Sequence, residues 1–219
     1  MTRTGRTLAI SASLLALVMA NASAKDRAMA MPFVTHAAFF SKETHQTDAV
    51  DPQVFVADPQ SQAGTGPQGI EHVAGIRPAL IERDSKSTAL LNAKGEPLGF
   101  DLGHWLGAKG NATVLAQSDG TTKISVTFSG LRPNGHYSLF ENYFDQKPVG
   151  FTPLDGGGEH NNIVAGKNGG AKLTVTALSM PTRANAILLV YHSDGQFHGT
   201  ERGQIGVTAH HQLIAPTSQ

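Results

Sequence analysis

An all-β sandwich or barrel is the fold class this sequence predicts, on three observations. Short segments with period-two alternation or brief apolar runs recur along the second half of the chain, each bounded by turn residues, and there are about seven of them. Glycine is high at 24 and proline stands at 11, a composition that suits strands and turns. No amphipathic stretch of useful helical length is recognised, so no helical layer is expected.

The first residues read as a targeting segment. Arg3 and Arg6 make a positive start, Leu8 to Ala20 is apolar, and Ala22-Ser23-Ala24 is a small-residue cleavage site. Residues 1–24 are therefore expected to be a signal peptide, with the mature chain starting near Lys25. The apolar run is short for a membrane span, and no later stretch is apolar enough to cross a bilayer. The expected location is outside the cytoplasm, periplasmic or extracellular. The absence of cysteine excludes disulfides, a thiolate nucleophile and thiolate-bound zinc. An exported chain without disulfides must be held by its core.

Residues 25–87 read as an irregular N-terminal arm, rich in Ala, Gln, Asp, Pro and Gly. Pro52, Pro59, Pro67 and Pro78 interrupt it. Short strands are expected at Val54-Phe55-Val56 and at Pro78 to Ile81, with a loop over Ser61 to Gly69. Residues 88–215 carry the sandwich pattern. Thr88 to Asn92 is a strand before the turn at Lys94-Gly95, and Leu102 to Leu106 is a short helical turn bearing Trp105. Ala112 to Gln117 and Lys123 to Phe128 form a hairpin about Ser118-Asp119-Gly120. Ile124, Val126 and Phe128 alternate with Ser125 and Thr127, as in a half-buried strand. His136 to Tyr143, Ile163 to Ala165 and Lys172 to Leu178 follow. Ala186 to His192 is apolar on both faces and should be central. Gln204 to Ala209 is expected as the last strand, ending in His210 and His211.

Charge excludes some partners. Basic and acidic residues balance at 17 each, with no basic stripe, so neither nucleic acid nor an anionic membrane surface is an expected partner. Gly64-Thr65-Gly66-Pro67-Gln68-Gly69 has a dinucleotide-binding spacing, but polar residues precede it and Pro67 sits inside it, so it reads as a loop. No Gly-x-Ser-x-Gly elbow and no His-Glu-x-x-His motif is present. Asp155 and Glu159 are the acids that a glycan-acting enzyme would need across a cleft; solvated loop acids are the plainer reading.

The ten histidines are the compositional oddity. Imidazole is a common metal ligand. His192, Asp194 and His198 cluster after an apolar strand; His160 lies in a Gly-rich loop; and His210 and His211, being adjacent, face opposite sides. A candidate copper or zinc site is drawn from His192, Asp194, His198, His160 and one of His210 or His211. The plainer reading is that they cap strand ends.

Several segments resemble the Cu/Zn superoxide dismutases. Ser129 to Tyr137 is similar to the turn that leads into the family's copper strand, and Gly169 to Val175 to a later strand. Leu189-Val190-Tyr191-His192 is similar to the segment carrying a late copper ligand, and Gly203 to Val207 to the closing strand. The resemblance runs over about Ala112 to Ala209 and implies a Greek-key, immunoglobulin-like or superoxide-dismutase-like sandwich. It carries over only His192 as a ligand. Leu139 and Glu141 stand where the family has its paired copper histidines, the family's disulfide has no cysteines here, and Arg202 lies near the family's active-site arginine but out of step.

The function expected first is that of a non-enzymatic exported sandwich, a binding or envelope-associated module for a protein or small-molecule partner. Its expected contact surface is Tyr143 and Phe144, with Phe140 and Phe151 nearby. The alternative is a His-based copper or zinc protein, a carrier or a redox site.

Overall fold

The computed structural model describes residues 28–217, so the expected signal peptide and the start at Lys25 lie outside the described residues. The elements in chain order are β1 (Met29–Pro32), β2 (Val34–Thr35), α1 (His36–Glu43), β3 (Val50–Ala57), β4 (Gly64–Thr65), β5 (Glu71–His72), β6 (Ile76–Leu80), β7 (Ala89–Leu91) and β8 (Pro97–Asp101). They continue with α2 (Leu102–Gly107), β9 (Lys109–Ala116), β10 (Thr122–Ser129), β11 (His136–Tyr143), β12 (Gly150–Pro153), β13 (Asn162–Val164), β14 (Ala171–Ala177), β15 (Asn185–His192) and β16 (Ala209–Pro216). The chain is thus mostly β, in antiparallel sheets. Among the described residues no helix is long and apolar enough to cross a membrane.

Two sheets share the main core. One has the order β1-β9-β10-β14; the other runs β12-β11-β15-β16-β2, with β13 also on β11. Alternation sets their facing. In β10, Ile124, Val126 and Phe128 are buried between exposed neighbours, and their partners across the ladder include Val114, Ala112 and Gly110 on β9. A side chain at Gly110 would place its Cβ 2.5 Å from the Phe128 ring, so glycine is required for that approach. From the second sheet, Tyr137, Leu139, Ile187, Leu189, Tyr191 and Leu213 join the same core. Each such burial contributes about 1.5–3 kcal/mol.

The second sheet is also covered on its outer face. Phe140, Leu188, Val190 and Ile214 form a separate apolar cluster there, with Phe39 of α1, Phe144, Phe151 and Ile205 against it. This second layer explains why β15 is buried along its whole length. Burial on both faces of that strand was legible from its unbroken apolar run.

The irregular arm expected over residues 25–87 is not what forms. β1 joins the first sheet beside β9, β2 joins the second beside β16, and β3 pairs with β6 and across the expected boundary with β7. β3 is buried except at its last residue. Pro52 and the polar Asp51 and Gln53 obscured it: Asp51 accepts from Trp105 Nε1 at 2.7 Å and from the amides of Gln53 and Val54. Burial pushes the Asp51 carboxyl up to about 6 despite those donors.

Helix α1 was also unanticipated. Thr35 caps it by accepting from the Ala38 amide, and Ser41 ties it to β3 through both backbone groups of Val50. Its sequence of two alanines and two phenylalanines after a Thr cap was the available signal. The expected helical turn carrying Trp105 is α2, capped by Asp101. The last strand is displaced from its expected place. Residues 204–208 form turns with one isolated bridge at Ile205, and β16 starts at Ala209, so His210 and His211 begin a strand rather than end one.

Candidate functional site

Register decides where the histidines go. Across β15 and β16, Tyr191 pairs with His210 and Val190 with His211. His210 therefore turns toward the shared core and His211 toward the outer face, as adjacent strand residues must.

His210 is enclosed. Its Nδ1–H donates to the Gln53 carbonyl at 2.9 Å, its Nε2 lies 3.2 Å from Ser193 Oγ, and the rings of Trp105 and Tyr191 flank it. Burial pulls it down to about 4, so it is neutral at pH 7.

His192 stands on the outer face at the end of β15. Asn162 Nδ2 donates to the Gly158 carbonyl, so its Oδ1 accepts from Ser138 Oγ at 2.7 Å. Ser138 Oγ must then accept from His192 Nε2–H, 2.8 Å away. This leaves His192 Nδ1 unprotonated, buried and without a partner. Burial first, then the neighbouring His198, pulls His192 down to about 4. The two rings are 5.2 Å apart between centroids. His198 Nε2 lies 3.1 Å from Asp194 Oδ2, within ion-pair reach, though the angle does not make a hydrogen bond.

The six residues expected as a metal set are thus divided. His192, Asp194 and His198 come together beside β15, while His210 is held in the core and His211 on the outer face. The His160 side chain is 82% exposed on a loop, 4.0 Å from the Glu159 carboxylate. Among the described residues no group of three or more His, Cys, Asp or Glu side chains is disposed to hold a metal ion. Asp155 is occupied too. Burial raises its pKa, but the amides of Gly158, Glu159 and His160 outweigh that and hold it low, as a loop organiser rather than an acid.

The expected contact surface is also divided by alternation. Tyr143 donates its hydroxyl to Glu141 Oε2, a neighbour on its own strand face. Phe144 lies on the other side, stacked on Phe39 with centroids 5.5 Å apart. Phe144 forms part of the wall of a groove of about 650 Å³ between α1, the 67–70 loop, β12 and the 202–205 turn. Phe40, Phe151 and Ile70 supply further apolar wall, and His36, Asn142, Arg202 and His211 supply polar atoms.

The polar end of this groove is incompletely paired. Arg202 is half-buried, and among the described residues no carboxylate lies within ion-pair distance of it. Its guanidinium carbon sits 3.2 Å from the Phe151 ring centroid, a close cation–π contact. Burial pulls Arg202 down to about 10, which leaves it charged at neutral pH. His211 faces two donors. Gln53 Oε1 accepts from the His211 amide, which aims Gln53 Nε2 at His211 Nδ1, 2.9 Å away. Arg202 Nη1 lies 3.1 Å from the other ring nitrogen, Nε2. A neutral imidazole can accept at only one nitrogen. His36, edge-on to His211 at 4.9 Å, has a buried Nδ1 without a partner, and Asn142 Oδ1 is in the same condition. Burial keeps both imidazoles neutral, His36 at about 3 and His211 well below its usual value. Each unsatisfied buried polar atom costs about 1–3 kcal/mol. Such costs at one end of an aromatic groove mark a place where a ligand can repay them.

Of these groove residues, sequence reasoning had singled out Phe144, Phe151 and His211 but not His36 or Phe39, and had noted Arg202 only as out of step with the dismutase family's active-site arginine. Comparison with known families finds no family model that matches the chain, and comparison with curated proteins finds no similar one.

Proposed function

We propose that this chain is an exported, non-enzymatic binding module, built on a Greek-key sandwich of the superoxide-dismutase-like type, and that its ligand lies in the groove between α1 and the outer face of the six-stranded sheet. The observation that carries this reading is the aromatic wall of Phe39, Phe144 and Phe151 around a groove of about 650 Å³, the size range of a small-molecule site. The interior of the sandwich is filled by side chains, so the outer face is the accessible one. A neutral, polarity-sensitive dye such as Nile red tests it. The dye should brighten on the native protein, and Phe144→Ser should weaken its binding several-fold with little change in thermal unfolding. Equal binding by the native and substituted proteins would reject the groove.

A second reading keeps one specific observation. His192 Nδ1 and His198 Nε2 are buried nitrogens without hydrogen-bond partners, with Asp194 beside them. A copper or zinc ion held by these two nitrogens, with its other ligands from solvent because no three described side chains are disposed to hold it, would make this a His-based metal carrier or redox protein. Elemental analysis of protein prepared without chelators or a His tag tests it: about one metal per chain, lost in His192→Ala, would favour this reading.

A further inference from the structure

The groove is neutral or apolar along most of its wall and cationic at one end. Its cation, Arg202, is stacked on Phe151; Glu201 acts on it through charge, but among the described residues no carboxylate lies within ion-pair distance. Glu43 also borders the groove, but from the exposed end of α1, outside ion-pair distance of Arg202 among the described residues. His211 has one lone pair for two donors, Gln53 Nε2 on Nδ1 and Arg202 Nη1 on Nε2, so either tautomer leaves one donor facing an N–H. With Gln53 on Nδ1, the Nε2 proton and the guanidinium face each other across 3.1 Å. An acceptor with two oxygens in one plane would take a hydrogen bond from each and supply the missing counter-charge. The body attached to that acceptor would run along Phe39, Phe144 and Phe151, which favour a flat apolar group.

We infer that the groove binds a small, flat, apolar monocarboxylate, with its carboxylate on Arg202 and His211 and its apolar body on the phenylalanine wall. This rests on the groove being the binding site, and adds the chemical class of the ligand. Arg202 acts as the selecting residue.

The test compares 2-naphthoate with 2-naphthamide, which has the same ring system and no charge, by calorimetric titration of the purified protein. The acid should bind about tenfold or more tighter than the amide, the range expected for a charge-assisted contact. Arg202→Gln should abolish that preference while leaving the amide within about twofold. Because the acid-to-amide ratio is read on the unsubstituted protein, the result does not depend on the variant folding. Equal binding of acid and amide, with Nile red still bound, would overturn the carboxylate assignment and leave the groove standing. No binding of either compound, together with a silent Nile red titration, would overturn both.

Discussion

The two faces of the six-stranded sheet differ in how completely they are filled. On the inner face Tyr137, Leu139, Ile187, Leu189 and Leu213 meet the other sheet, and the His210 imidazole there has its Nδ1–H on the Gln53 carbonyl. On the outer face a thinner cover of one short helix and several turns leaves, among the described residues, buried atoms unpartnered on His36, Asn142 and His192, where the core side has Gln212 Oε1 and Thr122 Oγ1 in that condition but no groove beside them. The adjacent residues His210 and His211 sample both environments, so the contrast belongs to the layers and not to the strand. A face closed by a whole sheet is filled by interdigitating apolar side chains. A face closed by pieces leaves room, and room beside unsatisfied donors is where binding can arise.

The largest expected effect is in acid, where both faces should fail together. Burial depresses the folded-state pKa of His36, His192, His210 and His211 below the ordinary histidine value of 6.5. The unfolded chain therefore binds more protons, so the stability they allow is present above pH 6.5 and lost as pH falls toward about 4. Asp51 opposes this, because its raised pKa of about 6 makes the folded chain bind a proton first, which adds stability as pH falls from 6 toward 3.8. Three groups' net effect is about 4 kcal/mol per pH unit at most, from about 1.4 for each. Urea unfolding at pH 7.5 and pH 5 should show a large drop in midpoint; equal midpoints would mean the imidazoles are not buried neutral.

Leu189→Ala probes the filled face. It should cost about 2–5 kcal/mol, as for other buried leucines, read as a shift in the urea midpoint. Gln53→Ala probes the residue both faces share, since its carbonyl serves His210 and its side chain serves the His211 amide. The carbonyl survives the substitution, so the expected loss is about 1–3 kcal/mol from the amide left unsatisfied. Phe144→Ser on the open face should cost about 1 kcal/mol, because the ring is already half-exposed. If Phe144→Ser proved as costly as Leu189→Ala, the outer layer would be a second core and the contrast would collapse.

Much of the sheet architecture was legible because period two is a local property. The strands at His136–Tyr143 and Asn185–His192, and the hairpin before them, follow from alternation and turn residues alone. β3 was only partly legible. Its Pro52, Asp51 and Gln53 read as loop chemistry, yet Asp51 and Gln53 are buried because Trp105 and His211, far along the chain, take up their hydrogen bonds. The candidate site was legible as residue types but not as groupings. His192, Asp194 and His198 are close because they are close in sequence, whereas His36, Arg202 and His211 meet through the packing of α1 and a turn against β16.

By itself the sequence determined that this chain is mostly β, that β15 is central, and that His210 and His211 face opposite ways, since each follows from the two-residue repeat of a strand. Only the tertiary structure decided that the N-terminal half is woven into the sheets, that Arg202 is stacked on Phe151, and that the outer face carries a groove. Those outcomes depend on which distant donors and acceptors meet once the layers close, and no local repeat encodes that pairing.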